Sequence, residues 1–464
     1  MGPPPRDARR GVCSPVRRQT VAPRRFFRHP SQVVVTAFAV VIAVGTALLM
    51  LPWARTGPEA ASFVEALFTS TSAVCVTGLI IVDTPTYWSP FGQVVILALI
   101  QVGGFGIMTM ASLLGLIVAR RLGLRSRLTA AAETKAMGIG DIRSVLVGVA
   151  KITIVFEAAT ALFLWVRLMV GYDEGVGRAA YLAVFHSISA FNNAGFALYE
   201  DSLERFVTDA WICLPIAVAV ICGGLGFPVI MELSRRVAPR HWSIHTKLTL
   251  SMTVVLLVGG TVFMAASEWR NQATLGGLDT PYKLMASFFH SVMPRTAGFN
   301  SLDVGAMNEG TWLGTIVLMF IGGGSAGTAG GIKVTTFVIL LFVIIAEVRG
   351  QQQVNAFDRR IGERVQRQAL TVALLSVAAV VAASLALLEM TDHTFGRVLF
   401  EATSAFATVG LSTGITDDLP AAGHLLLVGL MFLGRLGPIT LVSALALRER
   451  QIRHTLPEER PIIG

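Results

Sequence analysis

FTSTSAVCVTGL at 68–79, FHSISAFNNAGF at 185–196, FHSVMPRTAGF at 289–299 and FEATSAFATVGL at 400–411 are four versions of one segment. Each opens on Phe, runs through small apolar or hydroxylated residues, and reaches a glycine: Gly78, Gly195, Gly298 or Gly410. The glycines recur at intervals of 117, 103 and 112 residues. Repetition on this scale dictates architecture, because each copy is one structural unit that completes its packing against the others.

The composition says in what solvent those units pack. Of 464 residues, 53% are hydrophobic and 14% charged, which excludes a disordered chain and points away from a soluble one. Apolar runs at 33–51, 146–169, 211–231, 248–266, 312–348, 369–388 and 425–447 are long enough to span a bilayer, since about 20 apolar residues cross a core of about 30 Å. The net charge of +9 does not indicate nucleic acid. Of the 38 Lys and Arg, 28 fall in 1–32, 119–151, 233–247, 347–368 and 448–464, while the alternate connections carry acids such as Asp83, Glu200, Asp201, Asp303 and Asp417. This positive-inside pattern puts both termini in the cytoplasm. Cys13, Cys75, Cys213 and Cys222 have no paired spacing, so neither a disulfide framework nor a zinc site follows. The Pro- and Arg-rich N-terminus reads as a basic tail rather than a cleavable signal peptide.

Each repeat reads as a spanning helix, an acidic or polar turn, a short helix, the glycine signature and a second spanning helix. The boundaries are 33–120, 143–236, 245–348 and 366–448, flanked by cytoplasmic tails at 1–32 and 449–464. The short helices, expected near 62–73, 178–190, 279–291 and 394–405, reach only about 18 Å at 1.5 Å per residue. They must enter and leave on the same side, here the outer, acidic one. Re-entrant backbone is tolerated only when buried by protein or lining a water-filled cavity. Four such hairpins around one axis meet that condition together. The expected fold is an all-α membrane protein with eight transmembrane helices and four re-entrant pore loops in pseudo-fourfold arrangement. Each short helix aims its C-terminal partial negative charge at the membrane middle, which favours a cation. The glycines permit the backbone angles that line up carbonyls to replace the water of a dehydrated potassium ion.

A second repeated feature supports this alignment: GGFG at 103–106, GGLG at 223–226, GGGS at 322–325 and GRLG at 434–437. Close packing of small residues accounts for the first two. In the third repeat, 312–348 is 37 residues, or about 55 Å as a continuous helix, longer than the whole bilayer. Its middle, GGGSAGTAGGIK at 322–333, is a poor helix former. A broken helix with a loop beneath the glycine signatures is expected. In the fourth repeat Arg435 replaces a glycine, and an intramembrane arginine faces a cavity or a partner, either an open path or an ion pair.

The four signatures in order, with LIQVGGFGIMT at 99–109, GGSAGTAGGIKV at 323–334 and FLGRLGPIT at 432–440, are the basis of a family resemblance. The chain resembles the TrkH/KtrB/HKT superfamily of potassium transporters, its KtrB branch most closely, over about 30–450. The resemblance implies a pseudo-fourfold pore with a selectivity filter near the outer face. Carried onto this sequence, the filter backbone is Cys75, Val76, Thr77 and Gly78; Asn192, Asn193, Ala194 and Gly195; Arg295, Thr296, Ala297 and Gly298; and Ala407, Thr408, Val409 and Gly410. The family's intramembrane gating loop falls on Gly322, Gly323, Gly324, Ser325, Ala326, Gly327, Thr328, Ala329, Gly330 and Gly331, with Lys333 following, and its arginine below the filter on Arg435. The resemblance implies K+ as transported ion, Na+ as a candidate activator and no organic cofactor. It also implies a homodimer and a cytosolic regulatory subunit with nucleotide-binding RCK domains, of the KtrA/TrkA kind. In related plant transporters a serine at the first filter glycine accompanies sodium preference, so Gly78 favours potassium. The third signature is one residue shorter between its Phe and its Gly, so a strict fourfold filter is not expected.

The leading function is potassium uptake across the bacterial cytoplasmic membrane through a gated, channel-like pore. The alternative is a sodium- or proton-coupled secondary transporter, which would use midplane ionisable groups; Glu157, Arg167, Lys333 and Arg435 are the candidates. A membrane enzyme is a third class. His186 and His290 sit at equivalent points of two short helices and read as packing or polar contacts rather than metal ligands.

Overall fold

The computed structural model describes residue 2 and residues 30–57, 59–121, 142–235, 238–357 and 359–437. Nearly all of the expected tail at 1–32, most of the basic connection at 119–151, the end of the fourth repeat at 438–448 and the tail at 449–464 lie outside them. Repeat one comprises α1 (Pro30–Leu49), α2 (Phe63–Cys75), α3 (Thr84–Tyr87) and α4 (Pro90–Arg121). Repeat two holds α5 (Ile142–Tyr172), α6 (Val176–Phe191), α7 (Ala210–Leu225) and α8 (Phe227–Ser234). Repeat three holds α9 (Ile244–Glu268), α10 (Thr280–Val292), α11 (Glu309–Phe320) and α12 (Val334–Val348). After a small hairpin of β1 (Asn355–Ala356) and β2 (Arg359–Arg360), repeat four holds α13 (Glu363–Met390), α14 (Phe395–Ala407) and α15 (Ala421–Leu436).

The first helix of every repeat is long and apolar enough to cross a membrane, and its spanning window is only 22–33% buried. These four helices turn most of their surface to lipid, which asks for no polar face and explains why their sequences are apolar all round. The short helices α2, α6, α10 and α14 behave oppositely. They have 13, 16, 13 and 13 residues, and their last four or more residues before the signature strand are buried, save Ile188 in α6. Their ends fall within two residues of the expected ones. At the start of α2 a capping box ties Ser62 and Glu65 reciprocally, with Ser62 N donating to Glu65 Oε2 at 2.7 Å and Glu65 N to Ser62 Oγ at 3.3 Å.

Second helices come close to the short ones through glycine. A Cβ on Gly103 would stand 2.0 Å from the Val74 carbonyl oxygen, one on Gly223 1.9 Å from that of Phe191, and one on Gly434 1.6 Å from that of Phe406. All three carbonyls lie four residues before a signature glycine. The expected small-residue packing thus extends to the fourth repeat, where Gly434 rather than Arg435 makes the contact.

Among the described residues, two second helices are broken. The break in repeat three was expected: α11 stops at Phe320, α12 restarts at Val334, and the chain between them is pinned by Gly322 N to Ile332 O at 2.9 Å and Val334 N to Gly323 O at 2.9 Å. The break in repeat two was not, because 211–231 reads as one apolar span. The axes of α7 and α8 differ by 101°. The turn is made by Gly226 at φ +93°, with Pro228 in the first turn of α8. A Cβ on Gly226 would lie 2.6 Å from the Ser325 carbonyl oxygen, so the bend makes way for the repeat-three loop.

At the C-terminal end of α9, Glu268 is fully buried and organises the surrounding turns. It accepts from Thr274 Oγ1 at 2.7 Å, Asn271 Nδ2 at 2.7 Å, Asn308 N at 2.9 Å, Asn308 Nδ2 at 3.0 Å and the Thr311 hydroxyl. A buried carboxylate surrounded by this many donors is a structural fixture of the loop before α11.

Candidate ion-conduction site

The four signature glycines meet. A Cβ built on Gly78 would sit 2.3 Å from the carbonyl oxygen of Ala194 and 3.1 Å from the Cα of Gly195. One on Gly195 would sit 2.6 Å from Ala297 O and 3.1 Å from Gly298 Cα. Gly298 stands in the same relation to Val409 and Gly410, at 2.3 and 3.0 Å, and Gly410 to Thr77 and Gly78, at 2.2 and 3.1 Å. Each strand abuts the next in chain order and the fourth abuts the first, so the contacts close a ring.

The backbone within the ring is equally regular. Two residues before each glycine, φ is positive: 56° at Val76, 60° at Asn193, 76° at Thr296 and 51° at Thr408. The glycines follow at 87°, 71°, 71° and 95°. Left-handed residues alternating with ordinary ones turn successive carbonyls toward the same side. For β-branched Val76, Thr296 and Thr408 that conformation is strained by about 1–3 kcal/mol each, and such strain persists where the surroundings over-determine it. The shortened third signature keeps this pattern. Its missing residue is absorbed at the end of α10, where Ala297 N and Gly298 N both return to Met293 O, at 3.0 and 3.3 Å.

The strands are anchored by short-helix side chains that the sequence reading passed over. Ser72 Oγ donates to Leu79 O at 2.7 Å and accepts from Gly78 N at 3.1 Å; Ser189 Oγ donates to Phe196 O at 2.8 Å; Ser404 Oγ accepts from Gly410 N at 3.1 Å. All three precede their glycine by six residues, a recurrence visible in the quoted segments. Val292 occupies that place in repeat three. His290 Nε2 accepts from Ser301 N at 3.2 Å, as His186 Nε2 accepts from Leu198 N at 3.2 Å. Both histidines are buried strand anchors, as expected of polar contacts, and among the described residues no group of His, Cys, Asp or Glu could hold a metal ion.

The loop between α11 and α12 lies against the ends of these strands nearest the short helices. Gly324 N donates to Gly224 O at 2.7 Å and Thr328 N to Gly223 O at 3.2 Å. A Cβ on Gly322 would meet the Thr296 methyl at 3.4 Å, one on Gly330 Thr408 Oγ1 at 1.9 Å, and one on Gly331 the Cα of Ala407 at 3.0 Å. Arg435 completes the enclosure. Its guanidinium donates to the carbonyl of Thr328 and, at 3.1 Å, to that of Gly103. The loop therefore contacts repeats two, three and four directly and repeat one through Arg435. Arg435 is buried, and no described carboxylate pairs with it; of the two expectations for this residue, the ion pair gives way to a clamp on backbone carbonyls. Lys333 donates to Ala329 O within the loop itself.

Of the remaining midplane candidates, Arg167 is consumed by an ion pair with Asp209 at 2.8 Å. Glu157 has no described cationic partner and instead meets side-chain amides. In the turn after the third strand, Asn300 Nδ2 donates to Glu204 Oε1 at 2.8 Å. Burial raises the Glu204 pKa above the usual carboxylate value, and the neighbouring Asp303 and Asp201 act in the same direction.

The family model for TrkH, a cation transport protein, matches residues 13–452. The chain belongs to the TrkH family of cation transport proteins. This TrkH family member is 41% identical to the Ktr system potassium uptake protein B of Bacillus subtilis over 425 residues, covering 91% of this chain and 94% of that protein. It is 34% identical to the potassium/sodium uptake protein NtpJ of Enterococcus hirae over 441 residues, 94% and 97% of the two chains. The crystal structure of TrkH from Vibrio parahaemolyticus superimposes with a TM-score of 0.70 over 91% of this chain and 86% of that one, at 18% identity. That likeness speaks to the fold: four repeats around a pore in a multi-pass membrane protein.

Proposed function

We propose that this chain is the ion-translocating subunit of a Ktr/Trk-type system and takes up K+ across the cytoplasmic membrane through a gated, channel-like pore. The observation that carries the reading is the closed ring of Gly78, Gly195, Gly298 and Gly410 with its alternating left-handed backbone. Four strands so placed offer stacked carbonyl oxygens in place of an ion's hydration shell. The hydroxyls of Thr77, Thr296 and Thr408 are buried without a hydrogen-bond partner and add oxygens of the same hard type. The four short helices direct their negative ends at the ring's inner side, and the inward membrane potential drives entry by about 2.3 kcal/mol per charge for each 100 mV.

The names of the relatives support potassium as cargo, and that of NtpJ adds sodium as a second ion of interest. The loop at 322–331 is the gate: it stands under the ring, is an extended segment held by hydrogen bonds rather than a helix, and Arg435 keeps it closed. Both termini face the cytoplasm, as the basic connections require. There a nucleotide-binding RCK-type subunit docks on the inner face of a homodimer, consistent with the word "system" in the relative's name.

Expression in a bacterium lacking its own potassium uptake systems tests this. Growth on limiting potassium is expected, stronger with the regulatory subunit than without it. Membrane-inserted protein that restores no growth under either condition overturns the proposal.

A further inference from the structure

The residue three before each signature glycine is Cys75, Asn192, Arg295 or Ala407. The two polar ones reach outward, behind their strands, to the first helix of their own repeat. Arg295 reaches Thr253 by one hydrogen bond at 3.2 Å. Asn192 has more partners, all of them on its Nδ2, while its Oδ1 is buried without one. Its Nδ2 donates to Glu157 Oε1 at 3.0 Å, to Gln101 Oε1 at 2.8 Å and to the Ile188 carbonyl at 2.9 Å, while Gln101 Nε2 donates to Glu157 Oε2 at 3.4 Å. Gly104 makes the room, since a Cβ there would collide with Asn192 Oδ1 at 1.9 Å. Glu157 and Asn192 are both buried, at 9% and 0% exposure. The triangle joins α4 of repeat one, α5 of repeat two and the base of the second strand.

It continues into the loop. With its amide turned to donate, Asn193 Nδ2 lies 3.0 Å from Thr328 Oγ1, 3.2 Å from the Val220 carbonyl and 3.3 Å from that of Phe191. Thr328 in turn offers its carbonyl to Arg435. Asn193 is also the residue whose left-handed backbone starts the strand.

We infer that Glu157 is a positioning residue for ion selection: its carboxylate fixes the Asn192 amide, and with it the register of the second strand, so that preference for potassium over sodium depends on this buried triangle. The inference rests on the filter reading given above. A filter selects by the number and spacing of its oxygens, and a strand left free to shift relaxes both.

The chemistry separates hydrogen bonding from charge. In E157L the side chain fills the space but accepts nothing: Gln101 Nε2 loses its acceptor, and Asn192 loses its tie to α5 and is held by Gln101 and Ile188 alone, which frees the strand to move. In E157Q the side-chain oxygen still accepts from Asn192, and Gln101 Oε1 and the Ile188 carbonyl stay in place as its other acceptors. Only the longest contact of the set, from Gln101 Nε2 to residue 157 at 3.4 Å, is lost.

The test is uptake of labelled rubidium and of labelled sodium by proteoliposomes carrying the purified full chain. E157L is expected to lower the rubidium-to-sodium flux ratio about tenfold and E157Q by no more than about threefold. A stable E157L with the wild-type ratio overturns the inference, as does an E157Q that falls as far as E157L, since charge alone would then be acting. A merely structural anchor would lower thermal stability and both fluxes together without moving the ratio, and that result also overturns it. Should E157L fail to reach the membrane, Q101M removes another side of the triangle and is expected to shift the ratio in the same direction; an unshifted ratio again overturns it. A wild-type protein that does not discriminate defeats the filter reading itself, a failure distinct from one confined to the variants.

Discussion

Gly78→Ser is expected to reduce discrimination between potassium and sodium by about tenfold or more, equivalent to about 1.4 kcal/mol in the difference between the two ions. Two features of the site compound at this position. Gly78 has φ +87°, which a serine adopts only with strain. The added Cβ would stand 2.3 Å from the Ala194 carbonyl oxygen, well inside contact distance, so the neighbouring strand must turn that carbonyl or move away. Either response changes the oxygen cage on one side of the ring. Because the ring is cyclic, the displacement also reaches Gly410, whose Cβ direction points at Thr77. The measurement is the ratio of potassium to sodium uptake at matched expression. An unchanged ratio would remove Gly78 from the selecting oxygens.

The second large effect concerns the closed path. Arg435→Ala is expected to raise potassium flux in the absence of any regulatory subunit, by about tenfold. The guanidinium is the only described bridge from the loop to repeat one, through Thr328 O and Gly103 O. Losing two charge-assisted hydrogen bonds, each worth about 1.5–3 kcal/mol, shifts a loop otherwise held by neutral hydrogen bonds toward its open arrangement. Removing the positive charge beneath the ring acts in the same direction on a cation. Deleting part of 322–331 is expected to act likewise. A folded Arg435→Ala that conducts less than, or the same as, the parent would mean that the arginine supports conduction instead of closing the path.

Much of this was legible in the sequence, for identifiable reasons. Repetition gave the four units, and the length of the apolar runs separated the lipid-facing first helices from the short ones. The break between Phe320 and Val334 was legible because a glycine-rich stretch interrupts a run too long for the bilayer. The break at Gly226 was not, since hydropathy is blind to direction. Its only local sign is the Gly226-Phe227-Pro228 sequence, and its cause is the distant Ser325–Gly327 backbone. The same limit applies to Arg435: its residue type announced a buried role, but its partners are carbonyls, which have no signature in a sequence. Glu157 stood out as a midplane acid, while Gln101 and Asn192, 91 residues apart, meet only through the packing of repeat one on repeat two. The third signature's missing residue suggested a distorted ring, and the helix end at Met293 takes up the difference.

The central claim is that the four strands form one cation-selecting ring. The most direct test is an anomalous-difference experiment on crystals of the full chain grown in rubidium. The account predicts rubidium density on the axis bounded by the carbonyls of Thr77, Ala194, Ala297 and Val409. Rubidium bound elsewhere in the membrane region, with the ring empty at concentrations that sustain uptake, would contradict it.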